Sequence, residues 1–312
     1  MNRKIYFVVN PQAANGHTGH IWPGLKEKIK AKFKTLDYGI TEYTFHAARL
    51  TASALERGFD LVVAVGGDGT LNEVLNGYFR SGKTFCPQAA LGYLPGGTGG
   101  DFARSLGIYG LSHDEQLERL RKGRIRILDC GEACFRDLQG GSTCRLFINE
   151  SSVGFSANTV IAVNQATKIW GGKLSFLMGV LRCLVSLNNP ILEVTVDDKP
   201  IFQGPTLLVA VSNGKYFGGS MMIAPHAQID DGLFDIIIVG AMKRRTLIRK
   251  IGKIYRGNHL DEPEIRAARG RKVQITARHE KVLLEMDGEQ AGSLTDSPVS
   301  FTVCKKEIPF LC

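Results

Sequence analysis

Residues 64–77 read Ala64-Val65-Gly66-Gly67-Asp68-Gly69-Thr70-Leu71-Asn72-Glu73-Val74-Leu75-Asn76-Gly77. The run just before, Leu61–Val65, is short and apolar, as a buried strand is, and Leu71–Leu75 opens a helix-spaced apolar pattern. Gly66–Thr70 is therefore read as a strand-to-helix turn. Such a turn aims backbone N–H groups and a helix N-terminus at an anion, typically phosphate. Glycine lets that anion approach the chain closely. Asp68 would repel phosphate unless a cation or hydroxyl lay between them. It also suits the plainer role of helix N-cap. This stretch alone leaves both readings open.

Two further loops stand beside it. Asn10-Pro11-Gln12-Ala13-Ala14-Asn15-Gly16 follows the strand-like Ile5–Val9. Pro95-Gly96-Gly97-Thr98-Gly99-Gly100-Asp101 follows Ala90–Leu94. Three small-residue loops after three strands would gather at one edge of a parallel sheet, where α/β proteins bind ligands. Helical stretches near Trp22–Phe33, Thr51–Arg57, Thr70–Tyr78 and Asp114–Arg121 alternate with these strands and with Ile125–Leu128. Residues 1–130 are thus expected to form an α/β domain on a largely parallel sheet. After residue 130 strands dominate: Leu146–Asn149, Ile191–Val196, Leu207–Val211, Phe234–Val239, Val273–Ala277, Val282–Met286 and Val299–Val303. Helical signals shrink to Lys168–Leu187 and Lys243–Tyr255. Residues 131–312 are expected to form a β-rich sandwich, and a chain of 312 residues suits two domains.

One motif match is set aside. Gly77–Thr84 fits G-x-x-x-x-G-K-[ST], but a P-loop needs a strand before it and a helix after it. Here a helix precedes and Pro87 follows.

The net charge of +9 is concentrated. Between Ala241 and Lys272 stand eleven Lys/Arg against Asp261, Glu262 and Glu264, a net of +8. Such a surface suits a polyanion, either an anionic membrane or a nucleic acid. Within Met242–Tyr255, Leu247, Ile248, Ile251, Ile254 and Tyr255 recur on one helix face. Lys243, Arg244, Arg245, Arg249, Lys250 and Lys253 take most of the rest. Met1–Lys4 runs straight into a strand pattern, so no signal peptide is read. Leu174–Leu187 carries Arg182 and is too short to span a bilayer. Seven scattered cysteines (Cys86, Cys130, Cys134, Cys144, Cys183, Cys304 and Cys312) are expected as reduced thiols in a cytoplasm. No Cys-x-x-Cys pair marks a zinc site.

GGDGTLNEVLNG followed by LPGGTGGDFAR resembles the diacylglycerol-kinase catalytic family, relatives of which include sphingosine, ceramide and NAD kinases. The resemblance continues through Phe147-Ile148-Asn149, Val211-Ser212-Asn213-Gly214, Gly218-Gly219, Asp230-Asp231-Gly232-Leu233 and Met286-Asp287-Gly288-Glu289. It implies an N-terminal domain like that of NAD kinases and phosphofructokinases, a C-terminal β-sandwich, and nucleotide in the cleft between. It implies that Asn10, Pro11, Gln12, Ala13, Ala14 and Thr41 contact ATP, that Gly66, Gly67, Asp68, Gly69 and Thr70 cradle phosphate, and that Thr98 supports the nucleotide. Asp287 and Glu289 match the motif that carries the base, with Asp68 among the catalytic acids. Asp231, with carbonyls at Gln228 and Leu233, matches a Mg²⁺ site. Asp129, Asp230, Glu289 and Asp101 match a supporting acidic network. Gly100 stands where asparagine is common, and Ser156 where aspartate is common.

Phosphoryl transfer needs positioning and charge neutralisation, and a carboxylate to take the proton of the lipid hydroxyl. Asp287 and Glu289 would share a face if their strand continued, while Asp287-Gly288 equally suits a hairpin turn. Asp230-Asp231-Gly232 likewise suits a plain turn. The expected activity is an ATP- and Mg²⁺-dependent lipid kinase acting on diacylglycerol or a related hydroxyl lipid. Its expected setting is cytoplasmic, peripheral at the anionic inner membrane face, without nucleic acid and with room for a homodimer. The alternatives are a soluble NAD kinase and a non-catalytic lipid- or nucleic-acid-binding module.

Overall fold

The computed structural model describes residues 3–80, 83–84, 88–96, 100–165, 184, 187–295 and 297–312. The chain forms two compact units, residues 1–128 with 306–312 and residues 129–305.

The first unit runs β1 (Ile5–Val9), α1 (His17–Lys32), β2 (Leu36–Ile40), α2 (His46–Glu56), β3 (Leu61–Gly66), α3 (Asp68–Tyr78), a short hairpin of β4 (Phe79–Arg80) and β5 (Lys83–Thr84), β6 (Ala90–Pro95), α4 (Asp101–Ser105) and α5 (His113–Lys122). It then enters β7 (Ile125–Arg136), which continues into the second unit. The strand order is β2-β1-β3-β6, and these pairings are parallel. Every residue of β1 and β3 is buried, which explains their unbroken apolar runs: parallel strands are covered on both faces. Trp22, Leu25 and Ile29 of α1 pack with Phe7 and Val63, and Leu117 and Leu120 of α5 join the same core. β2 escaped the sequence reading because LDYGI is only partly buried and has no apolar run. Near the C-terminus, Phe310 pairs in parallel with Leu91 of β6.

The second unit adds β8 (Ser142–Phe147), β9 (Glu150–Gly154), α6 (Phe155–Gln165), β10 (Ile191–Val196), β11 (Lys199–Ser212), β12 (Phe234–Gly240), α7 (Arg244–Ile254), β13 (Ile265–Gly270), β14 (Lys272–Ala277), β15 (Val282–Met286), β16 (Glu289–Leu294) and β17 (Val299–Leu311). Its pairings are antiparallel. Period-2 alternation splits its apolar residues between two cores. Val209, Val211, Ile236 and Ile238 face one, with Phe147, Phe234 and Phe301. Leu208, Ala210, Ile237 and Val239 face the other, beneath α7. Phe147 stacks on Phe234 at 5.5 Å and meets Phe301 edge-on at 6.1 Å. It can do so because residue 131 is glycine: a Cβ there would overlap the Phe147 ring.

The structure corrects four expectations. Leu146–Asn149 is not one strand: β8 ends at Phe147 and β9 begins at Glu150. Cys134 and Cys144 are not free thiols. The β7–β8 register sets them opposite one another with Cα atoms 4.1 Å apart, and they form a disulfide. Ile248 is not part of the buried stripe of α7: it is 56% exposed. Lys250 is not part of the outward basic face but turns in, pairing with Glu262 at 2.6 Å and Glu264 at 2.5 Å. Lys253 also pairs with Glu262, and these two lysines hold the Glu262 carboxyl down to about 2. The expected helix at Lys168–Leu187 lies almost wholly outside the described residues. Among them, no helix is long and apolar enough to cross a membrane.

Candidate active site

In the first unit the parallel register brings the ends of β1, β3 and β6 together, and their loops are tied to one another. Asn10 N–H donates to the Val65 carbonyl at 3.0 Å, and Gly96 N–H to the Gly66 carbonyl at 2.8 Å. The Asn10 amide donates to Thr70 Oγ1 at 3.0 Å, while its Oδ1 accepts from Gln12 N–H at 3.0 Å. Ala13 N–H returns to the Asn10 carbonyl at 3.2 Å, and Gly19 N–H to the Pro11 carbonyl at 3.1 Å. Ala14 and Asn15 adopt left-handed φ values of 54° and 57°, and Gly16 follows at 84° before α1 begins. Thr41 sits just past β2, its N–H on the Val9 carbonyl at 2.8 Å. Gly66 packs on Thr70, whose Oγ1 lies 2.5 Å from where a Cβ would stand, whereas a Cβ on Gly67 would meet nothing within 4 Å. Gly67 is therefore the point of this loop that a ligand can approach. Thr98 lies outside the described residues.

Asp68 does not cap its own helix: the N-cap is Gly67, with no side-chain bond. Its carboxylate instead accepts from Asp101 N–H at 2.8 Å, at the start of α4, and from Tyr93 Oη at 3.0 Å. Burial pushes the Asp68 carboxyl above its ordinary range, against the pull of these donors. Glu73, one turn along α3, does the same for α2: it accepts from Phe45 N–H at 2.8 Å and Ala47 N–H at 3.1 Å. One helix thus carries two carboxylates that lock the N-termini of its neighbours. Gly100 precedes α4 with φ 59°, a left-handed conformation that glycine and asparagine both tolerate. Asp101 is buried, 3.9 Å from Arg104 Nε.

In the second unit Asp287-Gly288 is a two-residue hairpin turn between β15 and β16, with φ 48° and 82°. Asp287 and Glu289 therefore do not lie on one continuous strand, and Glu289 opens β16. Asp287 as a residue is 5% exposed. Its Oδ1 accepts from Asn149 N–H at 2.9 Å and Glu150 N–H at 3.0 Å, and its Oδ2 from Ile148 N–H at 2.9 Å. Asn213 extends the network, its amide donating to the carbonyls of Ile148 at 2.6 Å and Asp129 at 3.1 Å. Asp129, fully buried, accepts Gly232 N–H at 2.5 Å and donates its own N–H to the Ile229 carbonyl. The motifs around residues 148, 213, 231 and 287 are thus one hydrogen-bonded assembly. Behind the turn lies Glu285, fully buried. It accepts from Ser152 Oγ and Gly288 N–H and is hydrogen-bonded to Glu150. Burial pushes its carboxyl up to about 7.

The residues assigned to Mg²⁺ do not fit the ion as they stand. Asp231 Oδ2 is taken by the Arg269 guanidinium, which also reaches Asp235 at 3.3 Å, and Oδ1 accepts Leu233 N–H at 3.1 Å. Arg269 already supplies the positive charge that a metal would bring. Gln228 is exposed and Asp230 half-buried. Among the described residues no cluster of three or more His, Cys, Asp or Glu side chains could hold a metal.

Sequence reasoning missed Tyr93, Glu73, Glu150, Glu285 and Arg269. Of these only Glu73 sat in a quoted motif. Asn213 was visible as a landmark, but without a role.

A sheet edge with three tied phosphate-type loops, together with a β-rich unit carrying an ordered carboxylate cluster, has the parts of a phosphoryl-transfer enzyme. A family model for the diacylglycerol kinase catalytic domain matches residues 4–133, and one for the YegS C-terminal NAD kinase beta sandwich-like domain matches residues 149–310. The diacylglycerol kinase of Bacillus subtilis (strain 168) is 31% identical over 271 residues, 86% of this chain and 84% of that protein. The diacylglycerol kinase of Staphylococcus epidermidis (strain ATCC 12228) is 28% identical over 99% of this chain and 92% of its own. In fold, a crystal structure of a diacylglycerol kinase from Bacillus anthracis superposes with a TM-score of 0.71 at 21% identity, covering 99% of this chain and 96% of that one. An NAD kinase from Archaeoglobus fulgidus solved in complex with ATP has a TM-score of 0.51 at 14% identity, covering 99% and 93%. The chain belongs to the diacylglycerol kinase family. It is a lipid kinase, an enzyme that phosphorylates a hydroxyl.

Proposed function

We propose that the chain transfers the γ-phosphate of ATP to the free hydroxyl of diacylglycerol or a closely related lipid at an anionic membrane surface. The observation that carries this reading is the Asp287 turn, a buried carboxylate oriented by three backbone N–H groups. In this reading Asp287 accepts the acceptor hydroxyl's proton as the new O–P bond forms and ADP leaves. Such a base contributes roughly 10²–10⁴ in rate. Glu289, at the start of the returning strand, and Asp129 and Asp230 around the 229–233 loop hold this region in place.

On the nucleotide side, the loops at Asn10–Ala14 and Gly66–Thr70 supply backbone N–H groups to phosphate, with Thr41 beside them; Thr98 keeps the nucleotide-supporting role that the family resemblance gives it. Asp68 acts by bracing α4 and the loop before it, with Asp101 at the same corner. Mg²⁺ belongs with the nucleotide phosphates, which carry the oxygen ligands it prefers. A resident ion on Gln228, Asp231 and Leu233 requires Arg269 to leave. The membrane contact is the outer face of α7, where Lys243, Arg244, Arg245 and Arg249 are exposed around Ile248. Cations near an anionic surface contribute roughly 1 kcal/mol each.

The test is transfer of radiolabel from ATP to dioleoylglycerol in vesicles containing phosphatidylglycerol, with NAD as a control acceptor. Asp287→Asn is expected to lower kcat at least 100-fold and leave the dissociation constant for ATP within 3-fold. Labelling of NAD but not of lipid, or near-normal turnover by the variant, would overturn the reading.

A further inference from the structure

Two buried glutamates stand just outside the motifs that carry the site. Glu150 follows Asn149 and opens β9, and Glu285 precedes Met286 on β15. They are 3% and 0% exposed. Ionised carboxylates are costly in such surroundings, and two side by side are costlier still. Yet the two side chains are hydrogen-bonded to each other. An ionised carboxylate can only accept, so a hydrogen bond between two carboxyl groups needs a proton on one of them. The pair therefore carries one negative charge and one hydrogen.

This pair grips the Asp287 turn at both of its residues. Glu150 holds Asp287 through the backbone: its N–H donates to Asp287 Oδ1 at 3.0 Å, and its carbonyl accepts Asp287 N–H at 2.9 Å. Glu285 holds the next residue, its Oε2 accepting Gly288 N–H at 3.1 Å while its Oε1 accepts from Ser152 Oγ. The shared proton joins these two grips. The titratable groups facing Glu285 are few. β9 brings Glu150, the turn brings Asp287, β16 opens with Glu289, and α6 carries no ionisable residue. Burial keeps the proton on Glu285 up to about pH 7. Once it is lost, two adjoining carboxylates repel beside Asp287, and the strain falls on the bonds that orient the turn.

We propose that Glu150 and Glu285 are positioning residues for the Asp287 base, a carboxylic acid–carboxylate pair whose single shared proton holds the turn in its catalytic geometry. At alkaline pH that proton leaves to solvent and the turn loses its hold. The inference rests on the lipid-kinase reading with Asp287 as proton acceptor.

The experiment measures kcat of the full chain on dioleoylglycerol in mixed micelles across the pH range, with folding checked by circular dichroism at each pH. In the parent, kcat is expected to fall as pH rises past about 7, approaching about 10-fold per pH unit as one proton is lost. Glu285→Gln and Glu150→Gln each keep the link through an amide N–H, which donates and does not titrate. Both should shift that fall at least one pH unit higher or abolish it. Glu285→Leu, which removes the bond to Gly288, should lower kcat at least 10-fold at every pH, with the dissociation constant for ATP within 3-fold. The glutamine variants keep the test open if the leucine variant misfolds. A role in folding alone would move Tm and leave the kcat profiles of the folded proteins superimposable, so superimposable profiles would overturn the proposal. Infrared difference spectra read the proton without turnover. A buried protonated-carboxyl band should fade as pH rises past about 7 in the parent, and both glutamine variants should lack that component. Its absence from the parent would also overturn the proposal. If the band titrates but no diacylglycerol is phosphorylated, the lipid-kinase reading fails while the shared proton stands.

Discussion

The Asp68 carboxylate accepts the backbone N–H of Asp101 at 2.8 Å, so a residue in one glycine loop caps the short helix that follows another. The bond explains why a carboxylate sits in a loop shaped for anions. It is turned toward α4 and Tyr93 and acts on the neighbouring loop, leaving Gly67 as the open point.

Loss of that brace should reach the nucleotide. Asp68→Ala removes the acceptor for Asp101 N–H and Tyr93 Oη, a change that costs roughly 1–3 kcal/mol when buried donors are stranded. A fall of Tm by several degrees and an ATP affinity weakened about 10-fold are expected, measured by calorimetry. Tyr93→Phe removes one of the two bonds and should show a smaller loss in both. Unchanged ATP affinity in a destabilised Asp68→Ala protein would confine Asp68 to folding.

Glu285 gives the protein a pH-dependent stability of known sign. Its carboxyl is raised from 4.5 to about 7 in the fold, chiefly by burial. Between those values the folded chain keeps a proton that the unfolded chain has released, so stability falls as pH rises from about 4.5 to about 7. The groups facing it are Glu150, Ser152, the Gly288 N–H and Asp287. Glu285→Gln keeps the shape and removes the titration. Its Tm relative to the parent should rise from pH 5 to about pH 7 and then level off, and parallel curves would refute the assignment.

Gly131→Ala tests the second unit's core. The added methyl meets the Phe147 ring, which is held between Phe234 and Phe301 and cannot swing aside. Overpacking of this kind typically costs 1–3 kcal/mol. Denaturant titration should show a lower midpoint at unchanged slope, and a neutral result would mean that Phe147 has slack.

The outer face of α7 should govern vesicle binding. Changing Lys243, Arg244, Arg245 and Arg249 to Gln is expected to weaken binding to anionic vesicles at least 100-fold and to lower activity on vesicle lipid more than on short-chain lipid in detergent. Ile248→Asp should act in the same direction, whereas Lys250→Gln should affect folding instead, because Lys250 is paired inward with Glu262 and Glu264. Sedimentation with vesicles at 50 and 300 mM salt checks this, since an electrostatic contact weakens as screening grows. Indifference to both salt and substitution would show the face to be solvated surface only.

Much of the architecture was legible because its signals are local. Ile5–Val9 and Leu61–Val65 read as strands since a strand covered on both faces needs every residue apolar. The loops at Asn10, Gly66 and Gly96 read as turns since small residues and glycine are required there. α7 was legible as a helix from its 3.6-residue spacing, but which of its residues turn inward was not. Ile248 fits the apolar stripe on a helical wheel, yet it is exposed, because Glu262 and Glu264 on the chain that follows draw Lys250 to the inner side.

The order of strands and helices, the glycine turns and the concentration of positive charge were determined by the sequence itself, for each depends on residues within a few positions of one another. Tertiary structure alone decided that Asp68 caps a helix 33 residues away, that Asp287 gathers N–H groups from residues 148–150, that Cys134 meets Cys144, and that the last residues of the chain return to pair with β6. The reason is physical. A carboxylate, a thiol or a strand edge can be satisfied by any suitable partner, and strand pairing and register determine which one stands within bonding distance.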